Sequence, residues 1–167
     1  MNEALLQRGI CLVRLNRYEE ALIELKTYTE LVPNNINAFF ELGFILSSLG
    51  KYREAIDINN RVIQLNPEYL NAYYNKALCF IELKNFDSAI KELNFWIKKD
   101  PKDNNFLFKR GQCYIESKHY THALADFDSL INRNKKNASA HYNRGICLSN
   151  MKKYLEAKKD FQNAVKY

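Results

Sequence analysis

A spacing of 34 residues governs this sequence. Gly43 aligns with Gly9, Ala77, Gly111 and Gly145 at that interval, and Tyr52 with Tyr18, Phe86, Tyr120 and Tyr154. Ala55 aligns with Ala21, Ala89, Ala123 and Ala157; Pro67 aligns with Pro33 and Pro101, the series lapsing at Lys135. The offsets run without insertion and define five copies, 2–35, 36–69, 70–103, 104–137 and 138–167. A period of this length makes each copy one supersecondary unit, which buries its apolar face by stacking on its neighbours.

The copy Ile36–Tyr69 shows what the unit is. Ala38, Phe39, Leu42, Ile45, Leu46 and Leu49 follow the i, i+3, i+4, i+7 rule of a helix with one buried stripe. Past Gly50-Lys51 a second helix repeats the pattern with Ala55, Ile56, Val62 and Ile63. Gly43 and Ala55 are expected to face each other, because larger side chains would push the two axes apart. Asn66-Pro67 ends the second helix, since the residue before Pro is driven out of the α region. Asn37, Asn71, Asn105 and Ser139 are the expected N-caps of the later first helices.

The pattern resembles the tetratricopeptide repeat, whose signature at this period is W-x2-L-G-x2-Y, then A-x3-F, then P. Phe39, Leu42, Gly43, Leu46, Ala55 and Pro67 stand on those positions, and Asn59 departs where the signature has Phe. The resemblance implies an all-α fold, a right-handed α-solenoid of five helix-turn-helix repeats, with residues 1–167 as a single array. It also implies a protein–protein interaction scaffold rather than an enzyme.

The chain is 47% hydrophobic and 26% charged with few Gly and Pro, a folded rather than a disordered composition. No stretch approaches the ~18 apolar residues of a membrane span, and the N-terminus lacks the pattern of a signal peptide. The expected location is therefore intracellular, in the cytoplasm. Phe161 and Val165 lie in the last helix with no later copy to cover them, so a segment of a longer protein is expected, or a cover supplied by another chain. Self-pairing through that end, most exposed at Leu155, Ala164 and Val165, would give a weak two-fold dimer that salt strengthens, because Lys158, Lys159 and Lys166 repel.

Reactive residues give little chemistry. Cys11, Cys79, Cys113 and Cys147 share one repeat position, which in stacked hairpins recurs about 10 Å apart, too far for a disulfide or a shared zinc ion. They are expected as small buried hydrophobes. His119 falls in an inter-helix turn, His122 opens the next helix, and no further ligand completes an H-x-x-H site. His141 takes the slot of Phe39 and is expected to pack. Asp and Glu on the second helices are expected on a solvated face. No nucleophile elbow, phosphate loop or metalloprotease motif is present, so neither a metal nor a cofactor is expected.

What remains is an apolar surplus on the first helices. One row holds Leu6, Phe40, Tyr74, Phe108 and Tyr142, and a second, four residues later, holds Ile10, Phe44, Leu78, Gln112 and Ile146. Beside them stand Gln7, Glu41, Asn75, Lys109 and Asn143. By the resemblance this face lines a concave groove that binds a peptide or helix, with rings gripping side chains and amides meeting backbone groups. The expected site is Phe40, Phe44, Tyr74, Asn75, Leu78, Phe108, Lys109, Gln112, Tyr142, Asn143 and Ile146. The clamp by which family members hold the C-terminus of heat-shock chaperones is poorly matched: its five slots carry Phe40, Phe44, Asn75, Asn105 and Lys109. Residues 102–167 hold 13 Lys and Arg against 6 Asp and Glu, so an acidic partner, RNA, or assembly into a larger complex are the competing readings.

Overall fold

Among the described residues, 2–167 of a computed structural model, the backbone forms ten α-helices and no strand. The first helices of the copies are α1 (Asn2–Arg14), α3 (Ile36–Ser48), α5 (Leu70–Glu82), α7 (Asn104–Glu116) and α9 (Ala138–Asn150). The second helices are α2 (Tyr18–Leu31), α4 (Tyr52–Leu65), α6 (Phe86–Lys99), α8 (Tyr120–Arg133) and α10 (Tyr154–Lys166). They gather into two compact units, one ending at Lys84 and one running from Asn85 to Tyr167. The first unit thus holds α1–α5 and the second α6–α10.

The helix starts lie one residue ahead of the expected caps, and the cap positions two. Asn37, Asn71, Asn105 and Ser139 each stand second in their helix. The caps are Asn35, Asp103 and Asn137, whose side-chain oxygens accept from the N–H of Ala38 (3.1 Å), Asn105 (2.8 Å) and Ala140 (3.0 Å). Before α5 stands Tyr69, with no side-chain cap. The reason lies in the preceding loop. Asn66, Asp100 and Asn134 each accept from the backbone N–H two residues on at 3.0 Å, a tight turn that brings the next helix forward. His122, likewise, is the third residue of α8 and not its opening one.

Four hairpin turns are closed by the same pair of hydrogen bonds. Lys51 N–H donates to the Leu46 carbonyl at 2.8 Å and Gly50 N–H to that of Ser47 at 3.0 Å, the pairing that ends a helix in a left-handed residue. The turns after α1, α7 and α9 repeat both bonds. Gly50 has φ +73°, and its counterparts Asn16, Lys84, Lys118 and Lys152 hold φ between +56° and +62° without being glycine. Left-handed backbone costs an L-residue about 1–2 kcal/mol, so the lysine turns are strained where the Gly50 turn is relaxed.

Within a hairpin the helices meet closest at the repeated glycine. A Cβ on Gly43 would lie 2.8 Å from Asn59 Nδ2, so the partner is Asn59, one turn beyond the expected Ala55. Gly9 meets Leu25 in the same way, Gly111 meets Phe127 and Gly145 meets Phe161. Asn59 is fully buried; its Nδ2 donates to the Ala55 carbonyl at 2.8 Å, while Oδ1 is buried without a hydrogen-bond partner. The first unit packs around Leu25, Ile45, Leu46 and Val62, the second around Leu93, Phe127 and Leu130.

A polar relay runs through the second unit. Arg110 makes a two-pronged bond to Asp126, Nε to Oδ2 at 2.9 Å and Nη2 to Oδ1 at 2.5 Å, and its Nη1 reaches Asn94 on α6 at 2.7 Å. One repeat later Arg144 does the same to Asp160 (2.7 Å twice) and reaches Asp128 on α8 at 2.7 Å. Asp126 and Asp160 are 3% and 2% exposed, which corrects the expectation that the second-helix acids form a solvated face. His141 is buried as expected, and it also bonds Asp160 Oδ1 through Nδ1 (2.9 Å) and the Lys135 carbonyl through Nε2 (3.0 Å). In the first unit Arg8 pairs with Glu24 at the same spacing, whereas Leu42 and Ile58 take these positions within the apolar core.

Burial pushes the Asp160 carboxyl up, but the hydrogen bonds from Arg144 and His141 outweigh it and hold it below the ordinary carboxylate range. A carboxyl depressed on folding stabilises the protein above its unfolded value, and this contribution disappears as pH falls through the folded one. Asp160→Asn should cost about 3 kcal/mol near neutrality, since it removes the buried partner of Arg144 and leaves that guanidinium only the exposed Asp128. It should also flatten the loss of stability below about pH 4, where an unfolded carboxyl takes up its proton; urea unfolding across pH reads both effects. Lys118→Gly and Lys152→Gly should each raise stability by about 0.5–1 kcal/mol by relieving the left-handed turn, net of the extra freedom of unfolded glycine, measured by the same titration.

Candidate functional site

The expected site residues fall on the first helices of both units. In the first unit, Phe40 and Phe44 stand one turn apart on α3. Phe40 is half-buried with its ring 5.2 Å from that of Tyr69. Phe44 is exposed, with its ring edge-on to Tyr18 at 6.3 Å. Tyr74 and Leu78 on α5 are half-buried, and Asn75 between them is 7% exposed with Nδ2 buried and without a hydrogen-bond partner. Glu41, at the position of Asn75 one copy earlier, is half-buried. Burial pushes its carboxyl up, and the charge of Arg14 on α1 only partly offsets this. Burial raises the Tyr69 hydroxyl as well, with the Glu41 charge adding to it.

In the second unit, a pocket of about 410 Å³ gathers three expected residues, Phe108, Tyr142 and Asn143, with Phe161, Ala164 and Val165 of α10. Phe108 rests edge-on against Phe127 at 5.8 Å, and Tyr142, 54% exposed, tilts over Phe161 at 5.9 Å. The Asn143 amide donates to the Ser139 carbonyl of its own helix at 2.8 Å. Lys109, Gln112 and Ile146 are half-buried and do not line this pocket. Arg144, bound into the relay, fixes how α9 is turned, and Tyr142 two residues back points about 200° around the helix from it. The relay therefore orients the open ring without touching it.

Tyr18, Tyr69, Phe161, Ala164 and Val165 join these clusters from outside the expected site. Phe161 stands four residues after Ala157, as Asn59 follows Ala55, so its place in the hairpin is legible. That it floors a pocket beside Tyr142 is not, because α10 lies outside the rows of first-helix residues.

The cysteines divide. Cys79, Cys113 and Cys147 are buried, and burial pushes the thiols of Cys113 and Cys147 up to about 11, unreactive at neutral pH. Cys11 is exposed, which corrects the expectation for all four: the side of α1 equivalent to the one that buries Cys79 lies open. The His122 ring stacks on Tyr114 at 5.2 Å and that of His119 meets it edge-on at 6.3 Å, and among the described residues no three His, Cys, Asp or Glu are grouped as metal ligands. No helix among the described residues is long and apolar enough to cross a membrane.

Comparison with known proteins bears on the whole chain. Family profiles described as tetratricopeptide repeat match residues 3–35, 46–107 and 138–167. No curated protein sequence matches it. Among solved structures it is similar to MamA from Desulfovibrio magneticus RS-1, with TM-score 0.91 at 19% identity over 99% of this chain and 93% of that one. It is also similar to YrrB, described as a TPR protein with an unusual peptide-binding site, with TM-score 0.86 at 20% identity over 97% of this chain and 84% of that one. A tetratricopeptide repeat protein from Parabacteroides merdae gives TM-score 0.89 at 23% identity, over 99% of this chain and 66% of that one. With its five-fold sequence period, its repeated hairpin turns and these likenesses, the chain belongs to the tetratricopeptide repeat family.

Proposed function

We propose that this protein is a non-enzymatic scaffold that binds peptide or helical segments of partner proteins on the faces of its first helices. The observation that carries the reading is the pocket of the second unit, where Phe108, Tyr142 and Asn143 converge around open space of about 410 Å³. Its lining is mostly apolar with a few polar groups, the composition of a site that takes side chains. The exposed Phe44 gives the first unit an apolar contact of the same kind. YrrB, similar in fold, is described as peptide-binding, which fits this assignment.

The cation surplus of the second unit favours a competing ligand, an acidic segment or RNA. Arg110 and Arg144 are spent on internal carboxylates, and Arg133 on the carbonyls of Pro101 and Lys102, which leaves that surplus mainly to scattered lysines. Self-association through α10, where Leu155 and Val165 are 88% and 90% exposed, is a further competing reading, opposed by the mutual repulsion of Lys158, Lys159 and Lys166.

Peptides selected from a displayed random library against the immobilised chain test the reading. Tyr74→Ala with Tyr142→Ala, one ring in each unit, should weaken the selected peptides at least tenfold, as loss of aromatic anchors does, with helicity unchanged by circular dichroism. Undiminished binding would remove these faces as the site. Tight RNA binding at physiological salt with a steep salt dependence would favour the competing ligand.

A further inference from the structure

We infer that the first unit selects a basic side chain, an arginine or lysine of the partner peptide, with Glu41 as its counter-ion between two aromatic pairs. The inference rests on the peptide-binding reading and gives one of its two faces a chemistry. Glu41 stands in the row Gln7, Glu41, Asn75, one member from each of α1, α3 and α5. One ring of each pair stands on its helix, Phe40 beside Tyr69 and Phe44 beside Tyr18, at 5.2 and 6.3 Å between centroids.

Three properties of this carboxylate point to a cation. First, it is half-buried, and among the described residues it makes neither a hydrogen bond nor an ion pair. Arg14 acts on it by charge but does not close on it. Buried acids of structural use in this chain, Asp126 and Asp160, are instead held two-pronged by arginines. A carboxylate that has lost water and gained no donor carries an unmet cost, which a charged donor from outside relieves.

Second, the flanking rings suit the same ligand. A guanidinium or ammonium is attracted to aromatic faces, and the planar guanidinium also stacks on them while bonding a carboxylate through two N–H groups. Third, the charge balance of the units is complementary to such a ligand. The first unit holds 9 Lys and Arg against 10 Asp and Glu, the second 16 against 9. A basic segment is repelled by the second unit and not by the first.

The library selection on the whole chain separates this inference from the reading beneath it. Sequences retained by the wild type should be enriched in Arg and Lys. A selected peptide should bind Glu41→Gln about tenfold more weakly, the scale of one charge-assisted hydrogen bond. Replacing its basic residue by Gln should cause the same loss in the wild type and little further loss in E41Q, a coupling that general damage to the fold would not produce. Selected peptides without basic enrichment, acidic ones among them, or equal binding to E41Q and wild type, overturn the counter-ion role while the scaffold reading stands. If the wild type retains no peptide at all, the scaffold reading falls and this inference with it.

Discussion

The close approach of two helices at a small residue, glycine in four hairpins and Ala77 in the third, is the constraint on which the other contacts depend. At Gly9, Gly43, Gly111 and Gly145 an added Cβ would lie 2.7–2.8 Å from the facing side chain. That gap admits Leu25, Asn59, Phe127 or Phe161, so chemically different residues fill one geometric slot. Because the axes are fixed there, the first helix turns the same side outward in each copy. The rings at Phe40, Tyr74, Phe108 and Tyr142 therefore recur on one side of their helices instead of scattering into the core.

On this frame the second unit adds electrostatics that the first mostly lacks. Arg110 and Arg144 each bind a carboxylate of their own hairpin and an acceptor on the second helix of the hairpin before. Two-pronged geometry and near-complete burial of the acids make these directional contacts, unlike the exposed pair of Arg17 and Glu20. At the equivalent positions Leu42 and Ile58 join the first unit's core by apolar burial alone. Both solutions hold a hairpin; only the ionic one also reaches its neighbour through a named pair of atoms.

Much of this was legible in the sequence, because a fixed period projects every copy onto one ruler. The hairpins, the turn positions and the residues of the outward rows follow from Gly43, Ala55, Pro67 and their counterparts. What the ruler missed needed two helices at once. The arginine and its acid stand 16 residues apart on different helices, so Asp126 and Asp160 look like surface acids when α8 and α10 are read singly. Cys11 shares its register with three buried thiols, yet exposure depends on what lies against α1 and not on its register. The caps slipped because loop asparagines and aspartates compete for the same backbone donors. For the candidate site, row counting found Phe108, Tyr142 and Asn143, while Phe161 and Tyr69 join them by tertiary contact from elements outside the rows.

The relay has a consequence for how near-identical hairpins find their proper order. A repeat protein risks mis-docking during folding, since any hairpin can present an apolar stripe to any other. Here the three positions of the relay differ between copies: Arg144 meets Asp128, Arg110 meets Asn94, and Leu42 carries no charge at all. An α9 hairpin seated on α6 instead of α8 would exchange its second carboxylate for an amide. One seated where Leu42 belongs would bury a guanidinium beside hydrocarbon, at a cost of several kcal/mol. The arginines thus make the order of the hairpins a matter of charge as well as of shape.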